Sequence, residues 1–212
     1  MLTPLWTLAL LAACRPDPGA PDYPTPDPVD FGGDEDGLLE GPDPYVDGEA
    51  RLSLGLHYES GYSEIVPIDD ITTHYYVYSS TYTEDTDSQD RIEGRVSTVL
   101  TMGSAGWFGG GVHWDGGRDL SDWTTMVLSL RSSDAALEGA ELRMLGGLEG
   151  GVTLADYGFA ADGAWHQVVI PLVDLDDAGV DLSAVTVAFM LIGEGVGDGD
   201  ELKVDDLYLT QD

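Results

Sequence analysis

Trp107, Phe108, His113 and Trp114 flank the glycines 109–111, a spacing that sets flat aromatic faces beside backbone without side chains. Rings of this kind stack on the C–H face of a pyranose, and a glycine run lets a ligand approach the main chain. Arg143 and Tyr157 fall on or beside later strands and would supply hydrogen bonds that fix hydroxyl orientation. Trp107, His113, Trp114, Arg143 and Tyr157 are therefore the candidate ligand-binding residues. A structural reading stays open for each, because sandwiches bury aromatics from both sheets. Tyr75, Tyr76 and Tyr78 offer a second aromatic surface, divided between the two faces of a strand.

The patterns of catalysis are weaker. His57, His74, His113 and His166 stand apart, without His-x-x-x-His or His-Glu-x-x-His spacing, and there is no Gly-x-Ser-x-Gly elbow or phosphate-binding loop. Carboxylates are so plentiful, 40 in all, that a pair at glycosidase separation would arise by chance and carries no information. His113, Arg143 and Tyr157 are the set a polysaccharide lyase could use as base and charge stabiliser. The same acidity bears on partners. Eight basic residues against 40 acidic ones leave a net charge of -32, which repels the phosphates of nucleic acid at long range.

The elements that must carry these residues begin after Arg51. Met126, Leu128 and Leu130 alternate with Val127, Ser129 and Arg131, and Val168, Ile170 and Leu172 alternate around Val169. Further runs at 75–78, 186–191 and 202–204 continue the period of two. Turn signals such as Asp115-Gly116-Gly117 and Asp162-Gly163 separate them, and the glycines at 109–111 and 146–147 read as tight turns or bulges. Many short strands without helical periodicity predict an all-β protein, an antiparallel β-sandwich. Leu172 to Gly179 is the one helical candidate and is expected to form only a turn after Pro171. About 160 residues bury enough surface for one core without disulfides.

Ahead of the domain, residues 2–13 are apolar but too short to span a hydrocarbon core of about 30 Å, and they suit a signal peptide. No Lys or Arg precedes them. Leu11-Ala12-Ala13-Cys14 resembles the lipobox of bacterial lipoproteins, which implies cleavage before Cys14, lipidation of its thiol and attachment to a membrane through lipid. Arg15, in the position where some sorting rules place an inner-membrane aspartate, implies the outer membrane by the same resemblance. Residues 14–50, with prolines from Pro16 to Pro44 among aspartates and glycines, have no apolar periodicity and read as a disordered, extended spacer. The map is a signal peptide at 1–13, a linker at 14–50 and a sandwich domain at 51–212.

Three segments resemble jelly-roll carbohydrate-binding modules of the galactose-binding-like fold. They are Asp119-Leu120-Ser121-Asp122-Trp123-Thr124-Thr125 leading into a strand, the run Ala164 to Leu172 with Trp165 and Ile170-Pro171-Leu172, and the closing strand Leu202 to Leu209. The resemblance implies the jelly-roll form of the sandwich and a glycan or polysaccharide partner. It also implies a structural calcium held by Asp205, or alternatively Asp206, with Glu59, Asp69 or Asp70 joining from upstream, since Ca²⁺ takes six to eight oxygens. The expected protein is a monomeric, non-catalytic carbohydrate-binding lipoprotein of the cell surface. A structural or adhesive envelope protein that binds another protein, and a lyase-like enzyme, remain the alternatives.

Overall fold

The computed structural model describes residues 51–53, 73–92 and 96–211, the first three by backbone alone. The expected signal peptide, the linker with Cys14, and Glu59, Asp69 and Asp70 lie outside the described residues. Among the described residues ten strands form two antiparallel sheets. Sheet A contains β1 (Arg51–Ser53), β3 (Tyr82–Asp87), β4 (Ser97–Met102), β6 (Thr125–Arg131), β8 (Trp165–Pro171) and β10 (Glu201–Thr210). Its order is β3-β4-β10-β6-β8, and β1 pairs with the end of β10. Sheet B contains β2 (Thr73–Val77), β5 (Trp107–Arg118), β7 (Glu141–Thr153) and β9 (Val180–Glu194) in the order β2-β5-β9-β7. The architecture is the jelly-roll sandwich that alternation and resemblance predict.

Alternation decides which way each strand faces. In β6, Met126, Leu128 and Leu130 are fully buried between the sheets, whereas Arg131 is only partly covered. In β8, Val168 and Ile170 are buried and Val169 is exposed. Facing them from sheet B are Phe108, Val112 and Trp114 of β5, Leu142 and Met144 of β7, and Phe189 and Leu191 of β9. Each such side chain contributes about 1.5–3 kcal/mol by leaving water, which holds the layers together without a disulfide.

Three local expectations are corrected. Residues 109–111 are no turn; they lie within β5 and pair with β9 in continuous register. Asp115-Gly116-Gly117 is also strand, in the stretch where that register shifts between His113 and Arg118. Pro171 opens a short helix, α1 (Leu172–Asp177), because Leu172 and Leu175 bury one face and so fix a turn and a half. The expected irregularity at Gly146-Gly147 does form, as a bulge within β7 whose register against β9 shifts on both sides of Gly146. Gly147 has φ +67°, and past it β7 folds back on itself, with Leu154 N–H donating to the Ala140 carbonyl at 3.0 Å.

The outer side of sheet A is crossed by the loop that follows β3. Asp90 accepts hydrogen bonds there from Lys203 of β10, from Arg131 of β6 and, at 2.8 Å, from Trp165 Nε1 of β8. Lys203 also donates to Asp87 at 2.8 Å. The outer side of sheet B carries the aromatic residues instead.

Candidate ligand-binding face

Within β5, Phe108, Val112 and Trp114 point into the core, so Trp107, Gly109, Gly111 and His113 point out. Register then assembles the rest of the face. His74 of β2 lies opposite His113, and Tyr76 lies opposite Gly111. Ile192 and Met190 of β9 lie opposite Gly109 and Gly111. Glu141 and Arg143 of β7 follow beyond them, paired with Ile192 and Met190.

The glycines form the floor. A β-carbon on Gly109 would stand 3.0 Å from Tyr78 Cδ2, 3.3 Å from Trp107 Cζ3 and 3.6 Å from Ile192 Cγ1, so three side chains converge over this backbone. One on Gly111 would stand 2.7 Å from Met190 Cα. Around the floor the rings make a strip. Tyr76 and Tyr78 meet edge-on at 5.0 Å between centroids, and Tyr78 tilts against Trp107 at 6.4 Å. At the other end His74 and His113 stack at 6.2 Å, with His74 Nε2 3.1 Å from Asp115 Oδ1.

Tyr78 owes its place to a sharp corner. After Val77 the chain leaves sheet B for sheet A within four residues, and Thr81 Oγ1 accepts the Gly109 N–H at 3.2 Å where β2 stops pairing. Ser79 and Ser80 take φ of 48° and 53°, a left-handed backbone that costs an L-residue roughly 1–2 kcal/mol. The corner carries Tyr82 into the core and leaves Tyr78 outside.

Opposite the rings, Arg143 is held on three sides. Nε donates to Glu141 Oε2 at 2.8 Å, Nη2 lies 2.7 Å from the same oxygen, and Nη1 donates to Glu149 Oε1 at 2.7 Å. The hydrogen bonds that it donates to Glu149 and then to Glu141 raise the guanidinium above its ordinary value, although burial opposes them. The Tyr76 phenol is pushed well up, first by burial and then by the neighbouring Tyr78.

The structure therefore brings Trp107, His113 and Arg143 to one face and leaves two expected residues off it. Trp114 is 1% exposed inside the core, with the Arg118 guanidinium 4.5 Å from its ring centroid. Successive strand residues point to opposite sides, so His113 and Trp114 do not share a surface. Tyr157 sits in the turn after β7, partly buried against the core, and its hydroxyl donates to Asp174 Oδ2 of α1 at 2.7 Å. Burial and that bond push its phenol up to about 12. The trio His113, Arg143 and Tyr157 is thus not poised for proton abstraction. Tyr76 and Tyr78, expected on a separate aromatic surface, belong to this same face, and Glu141, Glu149, Met190 and Ile192 join it without having been singled out.

Asp205 and Asp206 are both buried in β10, where its register against β6 shifts between Asp205 and Tyr208. Asp205 Oδ2 accepts the Ile92 N–H at 2.6 Å and Oδ1 accepts the Asp206 N–H at 2.9 Å. Both Asp205 oxygens anchor backbone, the buried Asp206 Oδ1 does not, and among the described residues no three His, Cys, Asp or Glu side chains gather into a metal site. The upstream carboxylates that the resemblance adds to a calcium site, Glu59, Asp69 and Asp70, lie outside the described residues.

No protein-family model matches the sequence, and no curated protein matches it in sequence. Solved structures do share its fold. A family 30 carbohydrate-binding module of a cellulosomal cellulase of Clostridium thermocellum is similar over 70% of this chain and 96% of that one, at 17% identity and a TM-score of 0.53. A second family 30 module covers 65% and 81% of the two chains, at 16% identity and a TM-score of 0.52.

Proposed function

We propose that the outer face of sheet B binds a glycan chain without changing it covalently. The observation that carries this reading is the convergence of Tyr78, Trp107 and Ile192 over Gly109, which makes an apolar, partly open platform floored by backbone. Stacked pyranose rings need such a platform, and their hydroxyls need donors and acceptors beside it. His113, Arg143, Glu141 and Glu149 stand around it. The fold shared with carbohydrate-binding modules supports the same reading. No catalytic role is assigned, since the Tyr157 hydroxyl is engaged by Asp174.

In this reading Cys14 carries lipid and the linker holds the domain away from an outer membrane as a monomer. Labelling with radioactive palmitate that disappears in Cys14→Ser supports that part; unchanged labelling overturns it. For binding, affinity electrophoresis through a panel of soluble polysaccharides is the test. The wild type is retarded by at least one of them, and Trp107→Ala and Tyr78→Ala each lose about tenfold or more in affinity, the effect of ~1.4 kcal/mol. Retention of full affinity in both variants removes the face from the account.

A further inference from the structure

The charges around the platform carry a statement about what it accepts, which rests on the reading just given. Arg143 is the one described cation on the face, and two carboxylates, Glu141 and Glu149, already pair with it. Two more acidic residues stand at the ends of the aromatic strip. Asp115 follows His113 outward on β5, and Glu194 pairs in register with Trp107 and is exposed. The other cations with described side chains are engaged elsewhere. Arg131 and Lys203 pair with Asp90 on sheet A, Arg91 Nη1 donates to the Ser88 carbonyl at 2.5 Å, and Arg118 stacks on Trp114.

We infer that this face selects uncharged glycan chains and turns away polyanionic ones, uronates and sulfated polysaccharides alike, because its guanidinium is neutralised in place and acidic groups flank the platform. Among the described residues a carboxylate or sulfate on the ligand would meet no unpaired donor cation, and it would be desolvated beside Glu141, Glu149 or Glu194. The net charge of -32 adds repulsion at longer range. An uncharged chain meets neither penalty. Stacking on Trp107 and Tyr78 and hydrogen bonds to carboxylate oxygens are insensitive to salt by comparison.

The experiment is affinity electrophoresis of the full chain against galactomannan, xyloglucan and laminarin as uncharged probes, and polygalacturonate, alginate and carrageenan as anionic ones. It is run at about 0.02 M and about 0.5 M salt, between which the screening length shortens several-fold. The expected result is retardation by an uncharged probe at both salts and none by the anionic probes at low salt. In the double variant Glu141→Gln/Glu149→Gln, which frees Arg143, affinity for an anionic probe rises by roughly tenfold or more at low salt and falls again at high salt. Glu194→Lys, which places a cation beside Trp107, does the same if the double variant fails to fold. Wild-type binding to an anionic probe as tight as to any uncharged one, lost in Trp107→Ala, overturns the selectivity and leaves glycan binding standing. Binding to no probe of either kind overturns both.

Discussion

The hydroxyl of Tyr82 fills the space in which a β-carbon on Gly110 would stand. Tyr82 belongs to sheet A and Gly110 to sheet B, so the two layers meet directly beneath the floor of the binding face. The same hydroxyl is 2.6 Å from that of Tyr75, and burial pushes both phenols up, keeping the pair neutral at any ordinary pH. Gly110→Ala should therefore overlap Tyr82 and approach the Tyr76 carbonyl, which a β-carbon would meet at 2.6 Å. Overpacking of this kind costs typically about 1–3 kcal/mol. Urea denaturation should show the loss, and an unchanged midpoint would mean that the sheets are not in contact here.

Trp107 and Trp114 should separate binding from stability. Trp114→Ala empties a fully buried site and should cost about 3–5 kcal/mol. Trp107→Ala removes a partly exposed ring and should leave the denaturation midpoint nearly unchanged while weakening retention on polysaccharide. The reverse pattern would exchange their roles.

The loop that crosses sheet A should make the fold sensitive to acid. Hydrogen bonds from Lys203, then from backbone N–H groups, hold the Asp87 carboxyl below its usual range. Burial alone would raise Asp90, but the hydrogen bonds from Lys203 and Trp165 and the charges of Lys203 and Arg131 outweigh it and lower that carboxyl too. Lys203 is raised in turn: its burial acts downward, and Asp87 and Asp90 overcome it. A depressed carboxylate stabilises the fold above its unfolded pKa near 4 and ceases to do so as pH falls through its lower folded value. Asp90→Asn should thus be less stable than the wild type at neutral pH, with the difference shrinking below about pH 4. A difference independent of pH would dissociate the loop from these charges.

Asp205 anchors the same loop through the Ile92 N–H. Asp205→Ala leaves that donor and the Asp206 N–H without their acceptor and should cost about 1–3 kcal/mol, with or without EDTA. A loss that disappears in EDTA would return Asp205 to the calcium role that the resemblance implies.

Much of the fold was legible because a period of two needs only local apolar residues: Met126, Leu128 and Leu130 announce their face without reference to any partner. The face was half legible. Trp107, His113 and Arg143 were found by side-chain type, but reading 109–111 as a turn broke the strand and hid its parity. Once β5 runs through the glycines, Trp107 and Trp114, seven residues apart, must point to opposite sides. Glu149, and the placement of Tyr78 on the same face as Trp107, were out of reach for another reason. Glu149 meets Arg143 only because β7 folds back at Gly147, and Tyr78 lies over Gly109 only because the chain changes sheets at Ser79 and Ser80. Both depend on where the backbone reverses, which side-chain alternation does not encode.

The claim that sheet B presents the binding face is tested most directly by the indole N–H resonances during titration with an oligosaccharide of whichever polysaccharide retards the protein. The account predicts that the Trp107 signal moves and saturates, while those of Trp114 in the core and Trp165 under the Asp90 loop stay in place. A titration that moves Trp165 and leaves Trp107 unmoved would put the ligand on sheet A and contradict it.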